Sequence, residues 1–109
     1  MPQQILQVNF KFNVPREQYE STVAPMAQQF AEVPGCSWKV WLMNEKVSEA
    51  GGIYLFTDET SVDAFKSSPL VAAVLGHPAL SEFSIKQFEV MTEVSRITRA
   101  PLGASAAAA

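Results

Sequence analysis

The sequence has one cysteine, Cys36, and one histidine, His77. A lone cysteine excludes an intramolecular disulfide and makes a reducing, cytoplasmic setting the expectation. One histidine and one cysteine are too few for the usual zinc site, for an Fe–S cluster or for a cysteine-protease pair, so no metal is expected. Positive charge is scarce as well. Eight Lys and Arg stand against 11 Asp and Glu, for a net charge of −3, so the basic patch that nucleic acid or an anionic membrane requires is not expected. No segment approaches the roughly 20 apolar residues of a membrane span. The opening MPQQILQVNF has no basic stretch leading into an apolar run, which reads against a secretory signal. Neither G-x-G-x-x-G nor G-x-x-x-x-G-K-[ST] occurs, so no Rossmann nucleotide site and no P-loop is signalled. Apolar side chain is what the chain does have. Hydrophobic residues are 48% and charged residues 17% of 109, enough for one globular domain and too short for two.

The periodicity gives an order of elements. From Ile5 to Phe12 the residues Leu6, Val8, Phe10 and Phe12 alternate with Gln7, Asn9 and Lys11, the period-2 pattern of a half-buried strand. Asn13 can cap the helix that follows, with Pro15 in its first turn. Tyr19, Val23, Met26, Phe30 and Val33 recur at helical spacing. Pro25 interrupts them and should kink or break the helix, because it deletes a backbone hydrogen bond and clashes with the preceding turn. Val33-Pro34-Gly35 ends it. A second strand spans Cys36 to Asn44, a polar loop runs to Ala50, and a third strand covers Gly52 to Thr57. Asp58 is placed to cap a second helix carrying Val62 and Phe65. Ser68 and Pro69 restart that helix, and Gly76 with Pro78 stops it. A last strand is expected from about Glu82 to Glu93, followed by an irregular segment over 94–101. Residues 102–109 are Ala-rich and too short to hold a helix alone, so the expectation is a domain over 1–101 and a disordered tail.

The order β-α-β-β-α-β defines an α+β, ferredoxin-like sandwich with both helices on one side of an antiparallel sheet. One set of alternate strand positions holds Leu6, Val8, Phe10, Phe12, Trp38, Val40, Leu42, Ile53 and Leu55. The other holds Ile5, Asn9, Lys11, Lys39, Trp41, Met43, Tyr54, Phe56, Phe88 and Val90. How the parities match between strands is not fixed by the sequence, but large side chains fall on both faces whichever way they match. Left bare, the second face would drive association at about 25 cal/mol per Å². A homodimer closed sheet to sheet, a dimeric α/β barrel, is therefore expected. The competing reading is that the chain's own C-terminal segment covers the patch.

The run Ser37-Trp38-Lys39-Val40-Trp41, the loop Asn44-Glu45, and Glu49-Ala50-Gly51-Gly52-Ile53-Tyr54-Leu55-Phe56 followed by Asp58-Glu59 resemble the YdhR-like mono-oxygenases. Leu6-Gln7-Val8-Asn9-Phe10 and Ile97-Thr98-Arg99 fit the same family, so the resemblance spans roughly residues 4–100. It implies a dimeric α/β barrel of the antibiotic-biosynthesis-monooxygenase type and an oxygenase activity. Without a nucleotide motif, such an enzyme either uses no bound cofactor or borrows reduced flavin as a diffusible co-substrate. With no cofactor the substrate supplies the electrons. A small aromatic or quinol-type molecule, ionised in an apolar pocket, can reduce O₂ and recombine with it, given a base and hydrogen-bond donors.

The candidate catalytic residues are His77, Asn9 and Tyr54, and the candidate substrate-binding residues are Trp38, Trp41, Lys39, Lys86 and Phe65. Histidine is the one side chain whose unperturbed pKa is near neutral, so His77 suits a general base, although its place past a helix end equally suits a dipole cap. Asn9 and Tyr54 offer hydrogen bonds to a substrate oxygen. Lys39 and Lys86 can stabilise a phenolate or snorkel at a sheet end. Trp38 and Trp41 have opposite parity, so the two should part between core and pocket. Gly51-Gly52 allows a close backbone approach or marks a bulge. Haem-degrading relatives that the resemblance brings in pair a helix histidine with a strand asparagine, as His77 and Asn9 could. They also place a tryptophan early in the second helix, where this chain has Val62, Ala64 and Phe65. The other functions open at this stage are a dimeric module that binds a small apolar ligand or haem without turnover, and an isomerase or decarboxylase using the same pocket.

Overall fold

Alternation in the first segment builds the central strand on which the sheet is assembled. A computed structural model describes residues 2–103. Strand β1 covers Gln4–Phe12, β2 Cys36–Asn44, β3 Glu49–Phe56 and β4 Leu80–Glu89. They form one sheet in the order β2-β3-β1-β4, with every neighbouring pair antiparallel. This is the ferredoxin-like α+β arrangement that the element order predicts.

Pro25 breaks the first helix as expected. Helix α1 covers Arg16–Val23, a single 3₁₀ turn takes Ala24–Met26, and α2 covers Ala27–Ala31. The break keeps the apolar stripe in line, so Tyr19 and Phe30 both stay buried. The second helical segment is α3, Glu59–Lys66, and α4, Pro69–Leu75. Asp58 Oδ1 accepts the Ser61 N–H at 2.8 Å and Ser68 Oγ accepts the Val71 N–H at 3.3 Å, each satisfying a donor that the helix leaves free. Ser68→Ala is expected to lower the unfolding free energy by about 1 kcal/mol, read as an earlier midpoint in urea with unchanged slope.

Three boundaries differ from the sequence pattern. Strand β3 begins at Glu49, three residues before Gly52, because Ser48 takes a left-handed conformation (φ 52°) that closes the 3₁₀ turn Glu45–Val47. Glu49 then pairs with both Lys11 and Asn44. Strand β4 stops at Glu89, opposite Gln4, and just beyond it the Val90 N–H donates to the Gln3 carbonyl at 2.9 Å. Residues 94–97 of the segment expected to be irregular join Thr92 and Glu93 in α5, Thr92–Ile97, and 98–101 is irregular. Asn13 does not cap α1. Pro15 holds that position without a side-chain bond, and the Asn13 amide donates to the Pro78 carbonyl at 3.2 Å.

The strand register settles the parity. Leu6, Val8 and Phe10 share the helix-covered face with Tyr54, Phe56, Lys39 and Trp41, and the core forms there around Phe30, Val62 and Phe65. The opposite face is mixed. Ile5, Leu55 and Trp38 make an apolar half, packed by Val90 and Leu102. Gln7 and Asn9 make a polar half. Large side chains fall on this face too, as expected, with Val40, Ile53 and Phe88 on it as well, but Gln7, Asn9 and Lys86 interrupt them. The reading in which the chain's own C-terminal segment covers the sheet is met in part: the Trp38 indole N–H donates to the Pro101 carbonyl at 2.7 Å, and Leu102 is buried. The packed body thus reaches Leu102, one residue past the boundary read from the sequence. The rest of the expected tail, 104–109, lies outside the described residues.

Candidate functional site

A cavity opens between the sheet and the first helical layer. Its floor is strand: Val8 and Phe10 from β1, Gly51 and Tyr54 from β3, and Lys39 and Trp41 from β2. Tyr19, Val23, Met26 and Phe30 roof it, and Val74, His77 and Leu80 close one end. The cavity measures about 50 Å³. Trp41, Tyr19 and Val23 also border an outer groove of about 320 Å³ along β2, so the Trp41 indole stands between the two. β2 is an edge strand, which is why this side is open.

Polar groups in the cavity are few. Lys39 Nζ lies 3.5 Å from the ring centroids of both Phe30 and Trp41, and 4.7 Å from that of Tyr54. Phe30 and Trp41 meet edge to face at 5.3 Å, so the ammonium group fits into their corner. Among the described residues no carboxylate lies within 4 Å of it; the ion pairs found are those of Arg16 with Glu20 and Glu45. Burial lowers the Lys39 pKa to about 7, against a small upward pull from the Cys36 thiol. Burial pushes Tyr19 up to about 12 and raises Tyr54 further, so both phenols stay protonated donors. Burial also raises Cys36, whose thiol donates to the Trp38 carbonyl. His77 Nδ1 accepts the Ala79 N–H at 3.1 Å. In the neutral ring the proton is therefore on Nε2.

The candidates separate by face. His77, Tyr54, Lys39 and Trp41 line the cavity. Phe65 lies behind it, packed on Tyr54 (5.1 Å) and Phe56 (5.3 Å) in the core, and so does not touch the cavity. Asn9, Trp38 and Lys86 do not line the cavity. Asn9 pairs across the sheet with Gly51 and accepts from Gln7 Nε2 at 2.9 Å on the far face. Trp38 is held there by Pro101, and Lys86, opposite Gln7, is exposed. β1 turns its more apolar side to the helices, which carries Asn9 outward. Three residues gain a role that periodicity did not give them. Tyr19 is a phenol in an otherwise aliphatic and aromatic helix stripe, and Thr22 sits beside it at the cavity. Gly52 has no side chain because the Lys39 stem crosses it: a Cβ there would come within 2.6 Å of Lys39 Cε. The glycine pair thus marks a close approach, with Gly51 pressed against the Val8 carbonyl.

The site thus lies in a ferredoxin-like α+β fold, in an aromatic cavity between the sheet and its helices. Residues 5–101 match the family model described as "Putative mono-oxygenase ydhR", and the chain belongs to that family. No curated protein matches the sequence. Among solved structures, SnoaB, a cofactor-independent oxygenase from Streptomyces nogalater, superposes with a TM-score of 0.68 at 21% identity, over 83% of this chain and 94% of that one. The protein SO0527 from Shewanella oneidensis gives 0.68 at 11% identity, over 82% and 91%. The heme-degrader MhuD from Mycobacterium tuberculosis, with two hemes bound in its active site, gives 0.62 at 19%, over 80% and 95%.

Asn9 and His77 are on opposite sides of the sheet, so the haem-holding pair that the resemblance suggested is not assembled.

Proposed function

We propose that the protein is a monooxygenase that oxidises a small, electron-rich aromatic molecule with O₂ in the cavity beneath Tyr19 and Phe30, without a bound metal or organic cofactor. Membership of the ydhR family supports oxygenase chemistry, and the likeness to SnoaB supports a cofactor-free form of it. The observation that carries the reading is the cavity itself: aromatic walls around one desolvated lysine, two protonated tyrosines and one imidazole. A phenol, quinol or anthrone held there supplies its own electrons. For an anthrone-type CH₂ the balance is simple. The carbon loses two hydrogens, one atom of O₂ becomes its carbonyl oxygen, and the other leaves as water with those hydrogens. Apolar walls slow competing hydrolysis and strengthen each polar contact.

Oxygen uptake with a panel of quinols and anthrones tests this, with ¹⁸O₂ labelling of the product. Uptake without added flavin is the expected result. Uptake that requires reduced flavin moves the chemistry to a co-substrate. No uptake under either condition, with a Soret shift on adding hemin, replaces the reading with haem binding.

The reaction chamber belongs to a homodimer joined through the far face of the sheet. Val40 and Phe88 are 50% and 51% exposed there, beside the apolar half that Val90 and Leu102 cover. Met91, Val94 and Ile97, all exposed, continue the apolar surface beyond the strand. Val40→Glu combined with Phe88→Glu is expected to halve the mass seen by sedimentation equilibrium; a native monomer at micromolar concentration defeats the assignment.

A further inference from the structure

The lysine in the cavity has a placement that plain anion binding does not explain. A lysine meant only to hold a preformed anion gains from hydration or from a carboxylate partner that keeps it charged. Lys39 has no carboxylate within ion-pair distance among the described residues, is only partly exposed, and lays its stem over Gly52, in a slot that exists only because that position lacks a side chain. Its nitrogen ends against the faces of Phe30 and Trp41. Burial favours the neutral amine, while ring faces favour the cation. A nitrogen held between those two influences can take up a proton inside the cavity at little cost.

We infer that Lys39 is the proton acceptor of the site: the substrate enters as a neutral phenol or enol, gives its hydroxyl proton to Lys39 Nζ, and is held as the anion against the ammonium so formed. The proposal rests on the cavity being the substrate chamber. The step balances. The O–H bond breaks, an N–H bond forms, and no electron leaves the pair. Two neutral groups enter a dry site cheaply, and the charges that appear there are each other's counter-ions in a low dielectric. The ionised substrate is the electron-rich form that can reduce O₂. The other titratable groups facing the nitrogen do not compete. Tyr54 from β3 and Tyr19 from α1 are driven upward by burial and stay donors, and the Cys36 thiol on β2 is likewise raised and bonded to a carbonyl. His77, from the turn after α4, lies at the closed end of the cavity with Nδ1 already engaged. Arg16 and Glu20 line the outer groove, across Trp41, and are paired with each other. Gly52 is a positioning residue, acting through the lysine that it lets pass.

The test needs no turnover. 2-Naphthol is mostly neutral in water at pH 8, and its anion absorbs to the red of the protein. Mixed with the native protein under nitrogen at that pH, bound naphthol is expected as the anion, with its titration shifted down by about 1–2 pH units and no net proton release. Lys39→Met is expected to bind it as the neutral phenol, seen by Trp fluorescence quenching without the anion band. Lys39→Arg, always charged, is expected to keep the anion and to release one proton to solvent per site. Gly52→Ala, which displaces only the flexible lysine stem, is expected to reduce the anion band with the circular dichroism unchanged. Naphthol bound neutral by the native protein, an anion band that survives Lys39→Met, or no binding at all overturns the assignment. Ionised naphthol together with no oxygen uptake from any quinol leaves the proton acceptor standing and removes the oxygenase reading.

Discussion

Phe56→Ala is expected to lower the free energy of unfolding by about 3–5 kcal/mol. Phe56 is fully buried on β3, stacked on Tyr54 at 6.1 Å and tilted against Phe65 at 5.3 Å. It holds the sheet to α3 on one side and supports the back of the cavity on the other. Removing its ring takes away the transfer free energy of the side chain and leaves a void that these neighbouring rings cannot close without leaving their rotamers. A domain of this size has about 5–15 kcal/mol of stability in total. Each kcal/mol moves the thermal midpoint by about 4–8 °C, so the midpoint should fall by more than about 12 °C. Leu75→Ala is the comparison, because Leu75 is 45% exposed at the end of α4 and should change stability by less than about 0.5 kcal/mol. Equal losses in calorimetry at the two positions would mean that the core is not centred on Phe56.

The sheet and both helical layers could be read from alternation, two proline breaks and two cap residues, because those signals are local. What could not be read was parity, and the reason is visible in particular residues. In β1 one side carries Leu6, Val8, Phe10 and Phe12 and the other Ile5, Gln7, Asn9 and Lys11, so its buried side was already legible and Asn9 belonged outside. In β2 both sides carry a tryptophan, and the register shifts between Cys36 and Trp38. A one-residue slip exchanges the faces of a whole strand, so nothing local decided between Trp38 and Trp41. The structure assigns Trp41 and Lys39 to the cavity and Trp38 to the far face. The C-terminal segment failed for another reason. Leu102 is the one large apolar residue in a stretch of small ones, and its burial depends on Leu55 and Trp38, far away in sequence. Tyr19, Thr22 and Gly52 were invisible as site residues because each also satisfies a structural pattern. Only the cavity distinguishes a phenol in a helix stripe from ordinary packing.

Stability is expected to rise with pH between about 7 and 9, and the lysine in the cavity is the reason. The unfolded chain holds the Lys39 proton up to its ordinary value near 10.5, whereas the folded protein releases it at about 7. Below pH 7 both states carry the charge, and the folded state bears the cost of burying it. Above 7 the unfolded state binds more protons than the folded one, so the unfolding free energy increases with pH. Two pH units bound the gain at about 2.7 kcal/mol, and the ring faces that favour the cation bring it to about 1–2 kcal/mol. Above pH 9 the raised Cys36, Tyr19 and Tyr54 act in the opposite sense, since the unfolded chain then loses protons that the folded one keeps. Urea unfolding at pH 6, 7, 8 and 9 reads the slope directly. Lys39→Met should remove the rise and make the protein more stable than native at pH 6, because the methionine fills the slot over Gly52 without a charge to desolvate. A rise that persists in this variant would place the titrating group elsewhere, and a flat native profile would mean that Lys39 keeps its proton in the folded state. Either result would also leave the cavity without a neutral amine at physiological pH, and with it the route by which a phenol is ionised before oxygen reaches it.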